Sequence, residues 1–477
     1  MLFNSLEYAL FLPVVFLLYW FVFNRNLKGQ NLFLVGASYL FYAWWDWRFL
    51  GLLVFTSLCT YESGLLIEKY KDTPGKAKLF SALNIVVNLL ILGVFKYYNF
   101  FATSFADAFL GGKTEGLLLK VILPVGISFY TFKALSYSID VYRGKQEATR
   151  DVIQLLAYVS FFPQLLAGPI ERATDLLPQF GKPRTFEYGT GVDGLRQILW
   201  GLFKKVVVAD NCAVFVNRVF SDYQTQSGST LLLAAVFYTF QIYGDFSGYS
   251  DMAIGTGKLF GFRTKQNFKV PYFSRDIAEF WRRWHISLTT WFRDYLYIPL
   301  GGSRCSKAKI VRNTFIIFLV SGLWHGANWT FIAWGAYHAL LFLPLILLGK
   351  NRKYKDVVAE GRLLPSLKEA GQLLLTFFLV VIGWIIFRAD SIGQAWDYIR
   401  SISTRSLFSM PDAPGVTGVS LGIVILLVVE WLQRRREHGL DLSGMKVAVL
   451  RYAVYLCVLF LMFAFGGHSE NFIYFQF

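Results

Sequence analysis

The chain has 477 residues, a length that a soluble protein would divide into about three domains. Hydrophobic residues make up 55% of it and charged residues only 16%, whereas ordinary soluble proteins are roughly 25% charged. So few charges cannot cover a water-facing surface, which excludes a disordered, a collagenous and an ordinary globular chain. The composition predicts an all-α, polytopic integral membrane protein.

The charged residues are predominantly basic, because 47 Lys and Arg against 31 Asp and Glu give a net charge of +16. Such a balance can accompany nucleic-acid binding, but in a membrane protein it marks cytoplasmic loops. The cations follow the first, third and fifth apolar runs, at 25–28, 69–78 and 143–150. This spacing predicts an N-terminus outside the cell and no nucleic-acid partner. The first 24 residues contain no Lys or Arg, so we expect a retained span rather than a signal peptide.

Apolar runs long enough to span a bilayer need roughly 17–25 residues. They predict about 11–13 hydrophobic helices, with broken segments among them, in one membrane domain that covers residues 1–477. The predicted runs in chain order are 7–24, 31–46, 48–67, 80–101, 117–142, 152–170, 206–220, 230–256, 314–349, 363–388, 417–433 and 447–467.

Two of these runs are predicted to break. The run 152–170 contains Pro163, Gly168 and Pro169, which interrupt a helix. Three apolar runs separate the basic loop near 143–151 from the basic stretch 262–312. Both basic segments lie on the same side of the membrane only if one of these runs does not cross it. We therefore expect a broken or re-entrant segment there, buried in protein or lining a cavity. The run 314–349 is too long for one straight span and is flanked by cations at both ends. It predicts a hairpin or a broken helix whose break falls near 322–329.

The stretch 262–312 holds 11 basic and 3 acidic residues, a local charge of 11 − 3 = +8, and many aromatic side chains. One interpretation is a set of interfacial helices with aromatic belts and long basic side chains. The other is a cytosolic platform for an anionic ligand. The residues alone leave both open.

The chain has five histidines, His285, His325, His338, His438 and His468. The predicted hairpin places His325 within the membrane, where an ionisable residue is a functional hypothesis. Burial should keep its imidazole neutral, so it can act as a general base unless it is a hydrogen-bonded core residue. We expect His338 to belong to the scaffold, and His438 and His468 to be solvated and without a role. His285, among the cations, meets His325 only if the fold brings them together.

Two carboxylates, Asp245 and Asp251, stand among apolar residues and need partners if they are buried. A structural network with cytosolic arginines is at least as good an interpretation as catalysis. The four cysteines are widely spaced and predict neither a disulfide framework nor a metal site. The P-loop, zinc-protease, nucleophile-elbow and dinucleotide motifs do not occur in the sequence.

Four stretches together resemble the membrane-bound O-acyltransferase family, in particular its bacterial branch that acetylates polysaccharides of the alginate type. The teichoic-acid D-alanyl transferases of the same family have similar motifs. The stretches are 162–170 (FPQLLAGPI), 243–255 (YGDFSGYSDMAIG), 267–302 with FWRRWHISL and DYLYIPLGG, and 322–329 (GLWHGANW).

The resemblance implies that His325 is the catalytic residue and that His285 supports it. It implies a ring of helices around a central tunnel, a catalytic core at about 120–350, and a cytosolic opening for a thioester donor. No tightly bound cofactor is expected, and the donor substrate is acetyl-CoA or an acyl-carrier thioester. The expected partners are the lipid bilayer, an extracytoplasmic polysaccharide and a secreted partner acetyltransferase. The expected location is the bacterial cytoplasmic membrane.

Supporting roles follow from the same resemblance and from charge. Asn328 is a candidate donor to the developing oxyanion, and Asp245 and Asp251 are supporting candidates. Three arginines and one tryptophan could bind the donor, because guanidinium groups suit phosphates, although each could instead be an interfacial anchor. These four are Arg282, Arg283, Arg293 and Trp284.

Three other functions stay open at this point. D-alanyl transfer from a carrier protein to teichoic acid would use the same machinery. A transporter or flippase would use His325 as a proton relay. A passive scaffold in a polysaccharide-export complex would tolerate the loss of either histidine.

Overall fold

The computed structural model describes residues 1–466, 470, 472 and 473. Throughout that part the regular structure is helical, without a strand, which confirms the all-α prediction. The chain forms two compact units, Met1–Leu195 with Ala253–Lys265 and Arg196–Met252 with Gln266–Phe477. The boundaries pass through two helices, and the single domain with a core at about 120–350 stays a prediction, as does the ring of helices.

The first unit consists of the N-terminal helices and parts of two long helices that it shares with the second unit. Its elements are α1 (Leu6–Leu17), α2 (Leu27–Asp46), α3 (Leu50–Lys69), α4 (Pro74–Leu92), α5 (Tyr98–Phe109), α6 (Ile127–Tyr142), α7 (Val152–Ser160), α8 (Phe162–Leu165), α9 (Ala173–Phe180) and the start of α10 (Tyr188–Phe203). Short π-helical segments follow α1 and α4, at Leu18–Val22 and Gly93–Tyr97.

The second unit contains the basic aromatic stretch and the C-terminal helices. Its elements are α11 (Asp210–Ser221), most of α12 (Gly228–Leu259), α13 (Ile277–Arg283), α14 (Ile286–Phe292), α15 (Lys307–His325), α16 (Trp329–Leu347), α17 (Leu367–Arg388), α18 (Ile392–Ile402), α19 (Thr417–Leu432) and α20 (Ala448–Phe465). The π-helical segments Lys204–Ala209 and Arg293–Tyr297 precede α11 and follow α14.

Several described helices are long and apolar enough to span a bilayer, and they carry many exposed large hydrophobic side chains. These five segments are Leu27–Lys69, Pro74–Phe109, Trp329–Leu347, Leu367–Arg388 and Ala448–Phe465. The helices Leu6–Val22 and Thr417–Leu432 are shorter and also apolar. The chain is therefore a multi-pass membrane protein. The predicted run 117–142, however, is wrong in its first half. There the chain becomes helical only at Ile127, after Gly126 adopts a positive φ of 77°.

The predicted break in the run 152–170 is confirmed. Helix α7 ends at Ser160, α8 is a single turn with Pro163 in its first positions, and regular helix resumes only at Ala173. The backbone N–H of Phe162, freed by the break, donates to the Ser38 hydroxyl at 3.1 Å. A side-chain partner for an interrupted helix is what an apolar environment demands. Re-entry into the membrane stays a prediction.

The predicted hairpin in the run 314–349 is also confirmed, with its break at 326–328. Helices α15 and α16 pack closely along their length because glycines face the opposite backbone. Gly322 lies against the carbonyl of Phe331, and Gly335 against that of Phe318, so neither position has room for a side chain. Asn328 is the N-cap of α16, its Oδ1 accepting from Thr330 N at 3.0 Å. The hairpin therefore fixes His325 as the last residue of α15.

Candidate active site

His325 occupies an aromatic pocket in the second unit. Only 3% of the residue is exposed. Its ring lies 4.8 Å from Trp324, 5.1 Å from Trp334 and 5.4 Å from Phe387, measured between ring centroids. Trp334 comes from α16 and Phe387 from α17, so the pocket depends on the hairpin and on the helix packed against it.

His285 lies beside this pocket, with its ring centroid 6.4 Å from that of His325. It is the N-cap of α14 and adopts a left-handed backbone, with φ of 43°. It is 1% exposed, and burial lowers its pKa to about 3. Neither ring nitrogen has a hydrogen-bond partner among the described residues. The fold thus brings together the two histidines that the sequence could not connect.

A cavity of about 450 Å³ lies between α13, α14, α15 and α16 of the second unit. Thr314, Ile317, Phe318 and Ser321 line it from one face of α15, at the spacing of neighbours on a helix. His325 follows Ser321 by one turn of the same helix. The lining of the cavity on α15 therefore ends one turn before His325, and it includes neither His325 nor His285.

The predicted donor-binding arginines differ in whether they line the cavity. Arg282 and Arg293 line it, together with Arg352. Arg282 also donates to the carbonyls of residues 351 and 354, and Arg293 pairs with Asp294 at 2.6 Å. Each keeps an exposed, cationic position at the cavity.

Arg283 has a different environment from its neighbour Arg282. Its Nη2 lies 2.7 Å from Glu279, and it also donates to the carbonyl oxygens of Asp356 and Lys269. Glu279 also accepts from Arg275, so two guanidinium groups share one buried carboxylate. The hydrogen bond from Arg275 lowers the pKa of Asp356. Arg283 thus stabilises the loop that follows α16, and its predicted role in donor binding gains no support from its position.

The remaining predicted residues have structural partners. Asp245 pairs with Lys205 at 2.8 Å and accepts from Ile473 N, and Asp251 pairs with Lys204 at 2.5 Å. The expectation of a network is right, but its cations are these buried lysines rather than cytosolic arginines. The lysines project from the π-helical segment before α11, a feature without a sequence pattern.

Four other predicted positions lie apart from the cavity lining. Both polar atoms of the Asn328 side chain form hydrogen bonds, since its Nδ2 donates to the Asp390 carbonyl and its Oδ1 accepts from Thr330 N, each at 3.0 Å. Trp284 is buried between Phe268 and other rings. His338 is buried against Trp281 and Trp334, as a scaffold residue would be. His438 is only 6% exposed, so the expectation that it is solvated is wrong, and His468 lies outside the described residues.

Two residues at the cavity were not singled out from the sequence. Arg352 follows α16 in a loop that sequence reading treated only as a basic flank. Tyr297 ends the π-helical segment after α14, and its buried hydroxyl has no partner among the described residues. The sequence signals that could have found them are the place of Tyr297 within the basic stretch 262–312 and that of Arg352 directly after the run 314–349.

Comparison with known proteins identifies the family of the chain. A sequence model of the membrane-bound O-acyltransferase family matches residues 39–354. The chain is 43% identical over 440 residues to the "Probable alginate O-acetylase AlgI" of Pseudomonas aeruginosa, covering 91% of this chain and 81% of the relative. It is 34% identical over 506 residues to the peptidoglycan O-acetyltransferase of Helicobacter pylori, covering 99% and 90%. It is 30% identical over 283 residues to the teichoic acid D-alanyltransferase of Bacillus subtilis, covering 56% and 69%.

Proposed function

Because the chain belongs to the membrane-bound O-acyltransferase family, we propose that it moves an acetyl group from a cytosolic thioester to a hydroxyl of an extracytoplasmic polysaccharide. The family makes the chain an acyltransferase and disfavours the transporter and scaffold interpretations. The observation that carries the finer proposal is the cavity, which three arginines and one face of α15 line and whose α15 lining ends one turn before His325. The relatives named for alginate and peptidoglycan O-acetylation support an acetyl group and a polysaccharide acceptor.

The donor binds in the cavity of the second unit. The phosphates of acetyl-CoA contact Arg293 and Arg352, since guanidinium groups form charge-assisted hydrogen bonds to phosphate oxygens. The pantetheine arm lies along the face of α15 that Thr314, Ile317, Phe318 and Ser321 present to the cavity. The unpartnered hydroxyl of Tyr297 donates to a polar group of the arm, because a buried hydroxyl without a partner is costly.

The chemistry takes place at the histidine pair. Neutral His325 takes the proton of the acceptor hydroxyl while that oxygen attacks the thioester carbonyl carbon. The C–O bond forms, the C–S bond breaks, and the imidazolium returns its proton to the leaving thiolate. His285 donates a hydrogen bond to a reacting oxygen, a role for which its unpartnered nitrogens are available. The acetyl group crosses the membrane plane while the thiol stays in the cytosol.

The same proposal includes the membrane in which the enzyme lies, its orientation and its product. The enzyme lies in the bacterial cytoplasmic membrane with its N-terminus outside, and its basic stretch 262–312 faces the cytosol. The product is an O-acetylated polymer, formed directly or through a secreted partner acetyltransferase. The enzyme holds no tightly bound cofactor in this scheme, since acetyl-CoA is a substrate.

The test uses inside-out membrane vesicles that contain the protein, with labelled acetyl-CoA in the medium and alginate or peptidoglycan fragments in the lumen. We expect labelled ester on the lumenal polysaccharide, and none in vesicles without the protein. A D-alanyl-loaded carrier protein is offered in parallel. Label from the carrier alone would replace the acetyl proposal by D-alanyl transfer. Label from acetyl-CoA only after a secreted partner is added would assign the last step to that partner.

A further inference from the structure

The backbone of His285 is unusual for a residue with a side chain. Its φ of 43° and ψ of 55° lie in the left-handed region, which costs a residue other than glycine of order 1 kcal/mol or more. Such a conformation persists only where the surroundings determine it. The turn formed by residues 284–287 must therefore be held by specific contacts, and those contacts decide where the imidazole points.

One residue, Asn267, makes three of the hydrogen bonds at this turn. The carbonyl oxygen of Asn267 accepts the N–H of Ile286 at 2.8 Å. Its side-chain Oδ1 accepts the hydroxyl of Ser287 at 2.9 Å and the N–H of the same residue at 3.4 Å. Asn267 therefore binds both residues that follow His285, one through its backbone and one through its side chain.

The same side chain also connects the turn to a long helix. Nδ2 of Asn267 donates to Oγ of Ser250 in α12 at 3.0 Å. All three residues are buried, and Asn267 is fully so. Phe246, one turn before Ser250 in α12, packs its ring against the imidazole of His285 at 4.6 Å. Helix α12 thus supplies both the hydroxyl that accepts from Asn267 and the ring that packs against His285.

The side chain of Asn267 bonds only to Ser287 of the turn and to Ser250 of α12 among the described residues. A buried amide is expensive unless its donors and acceptor are used, and every described bond of this side chain goes to the turn or to the helix behind it. A hydrophobic residue of similar size would fill the volume, but it could not hold the N–H and hydroxyl of Ser287. The specific chemistry of an amide is needed only because the turn is strained.

We propose that Asn267 is a positioning residue for catalysis, which holds His285 in its left-handed conformation facing His325. The inference rests on the proposed function, since it matters for rate only if His285 acts at the reacting atoms. It does not require Asn267 to touch either substrate. A small displacement of a catalytic group can cost about 10²-fold in rate.

The first test is Asn267→Ala in the purified enzyme, assayed with acetyl-CoA and a polysaccharide fragment. We expect kcat to fall about 10²-fold while KM for acetyl-CoA stays within about twofold, because the donor cavity is not touched. Asn211→Ala is the matched control. Its Nδ2 donates to the carbonyls of Val206, Val207 and Phe465 at 2.9, 3.1 and 2.9 Å, so it loses comparable bonds far from the turn and should keep kcat.

The second test separates positioning from general stability. In a His285→Gln background with residual activity, Asn267→Ala should cause no further loss of kcat, because its effect passes through the missing imidazole. Equal losses in both backgrounds, or an unchanged kcat in the single variant, would overturn the inference. If Asn267→Ala does not fold, Asn267→Asp, which keeps an oxygen for Ser287, replaces it in the same cycle. Loss of the proposed function would instead show as a wild-type enzyme without acyl transfer.

Discussion

The imidazole rings of His285 and His325 face each other across 6.4 Å, centroid to centroid, without a hydrogen bond from His285 to any described group. The distance is too long for a mutual hydrogen bond and leaves the nitrogens of His285 available. The His285 imidazole, whose pKa burial lowers to about 3, suits a reaction in which a carbonyl gains charge. The pair is therefore the place where the proposed transfer can be tested by substitution.

The buried, neutral His285 predicts a pH dependence of stability. In the unfolded chain its pKa is about 6.5, whereas burial lowers it to about 3 in the fold. The unfolded state thus binds one more proton between these values, and stability is lost as the pH falls from about 6.5 toward 3. The loss is about 1.4 kcal/mol per pH unit. Thermal unfolding in detergent should show wild type falling more steeply than His285→Gln below pH 6.5, whereas parallel curves would contradict the burial.

The cavity arginines predict a change in donor affinity. Arg293→Ala and Arg352→Ala should each raise KM for acetyl-CoA about tenfold, the cost of one charge-assisted hydrogen bond, with kcat nearly unchanged. Added salt should weaken binding less in these variants than in wild type. Initial rates across acetyl-CoA concentrations measure both. Arg436→Ala, which removes an exposed cation 3.8 Å from Asp441, is the control, and an equal rise in its KM would show a general charge effect.

Arg283 should affect stability instead of donor binding. Arg283→Ala leaves Glu279 with one of its two cations, and breaking a buried pair costs about 3–5 kcal/mol. We expect a large fall in the thermal unfolding temperature, with KM for acetyl-CoA close to wild type in the protein that remains folded. A stable variant with a strongly raised KM for acetyl-CoA would instead assign Arg283 to the donor site.

The close packing of the hairpin predicts the effect of one methyl group. Gly322→Ala places a Cβ against the carbonyl of Phe331, and overpacking of this kind costs about 1–3 kcal/mol. It should also move His325, one turn away, and reduce the rate of transfer. Gly371→Ala in α17 has open space around it and should be neutral or slightly stabilising. Equal unfolding temperatures for the two variants would argue against the tight hairpin.

The sequence predicted the helical class and both broken runs, because these follow from hydropathy and from proline and glycine positions. It also singled out His285 and His325 through motif resemblance, and their catalytic roles stay predictions. The break at 326–328 could be placed because the apolar run 314–349 is too long for one helix. The beginning of α6 at Ile127 was missed, since the residues before it are apolar without being helical. Apolar composition alone does not distinguish these states.

The partners of buried charges could not be predicted in the same way. Asp245 and Asp251 needed cations, and the sequence offered many, but only the π-helical segment selects Lys205 and Lys204. Likewise Arg282 and Arg283 are adjacent in sequence, but Arg283 pairs with Glu279 one turn earlier in α13 whereas Arg282 lines the cavity. Such assignments are decided by three-dimensional packing.

The central claim is that His325 takes the acceptor proton, and the most direct measurement is the initial rate of acetyl transfer by His325→Ala. General-base catalysis contributes about 10²–10⁴-fold, so we expect a loss of at least that size. The variant should insert normally and keep the wild-type KM for acetyl-CoA, and Gly371→Ala, which has open space around it in α17, should transfer at nearly the wild-type rate. A His325→Ala enzyme that acetylates its acceptor at the wild-type rate would contradict the account.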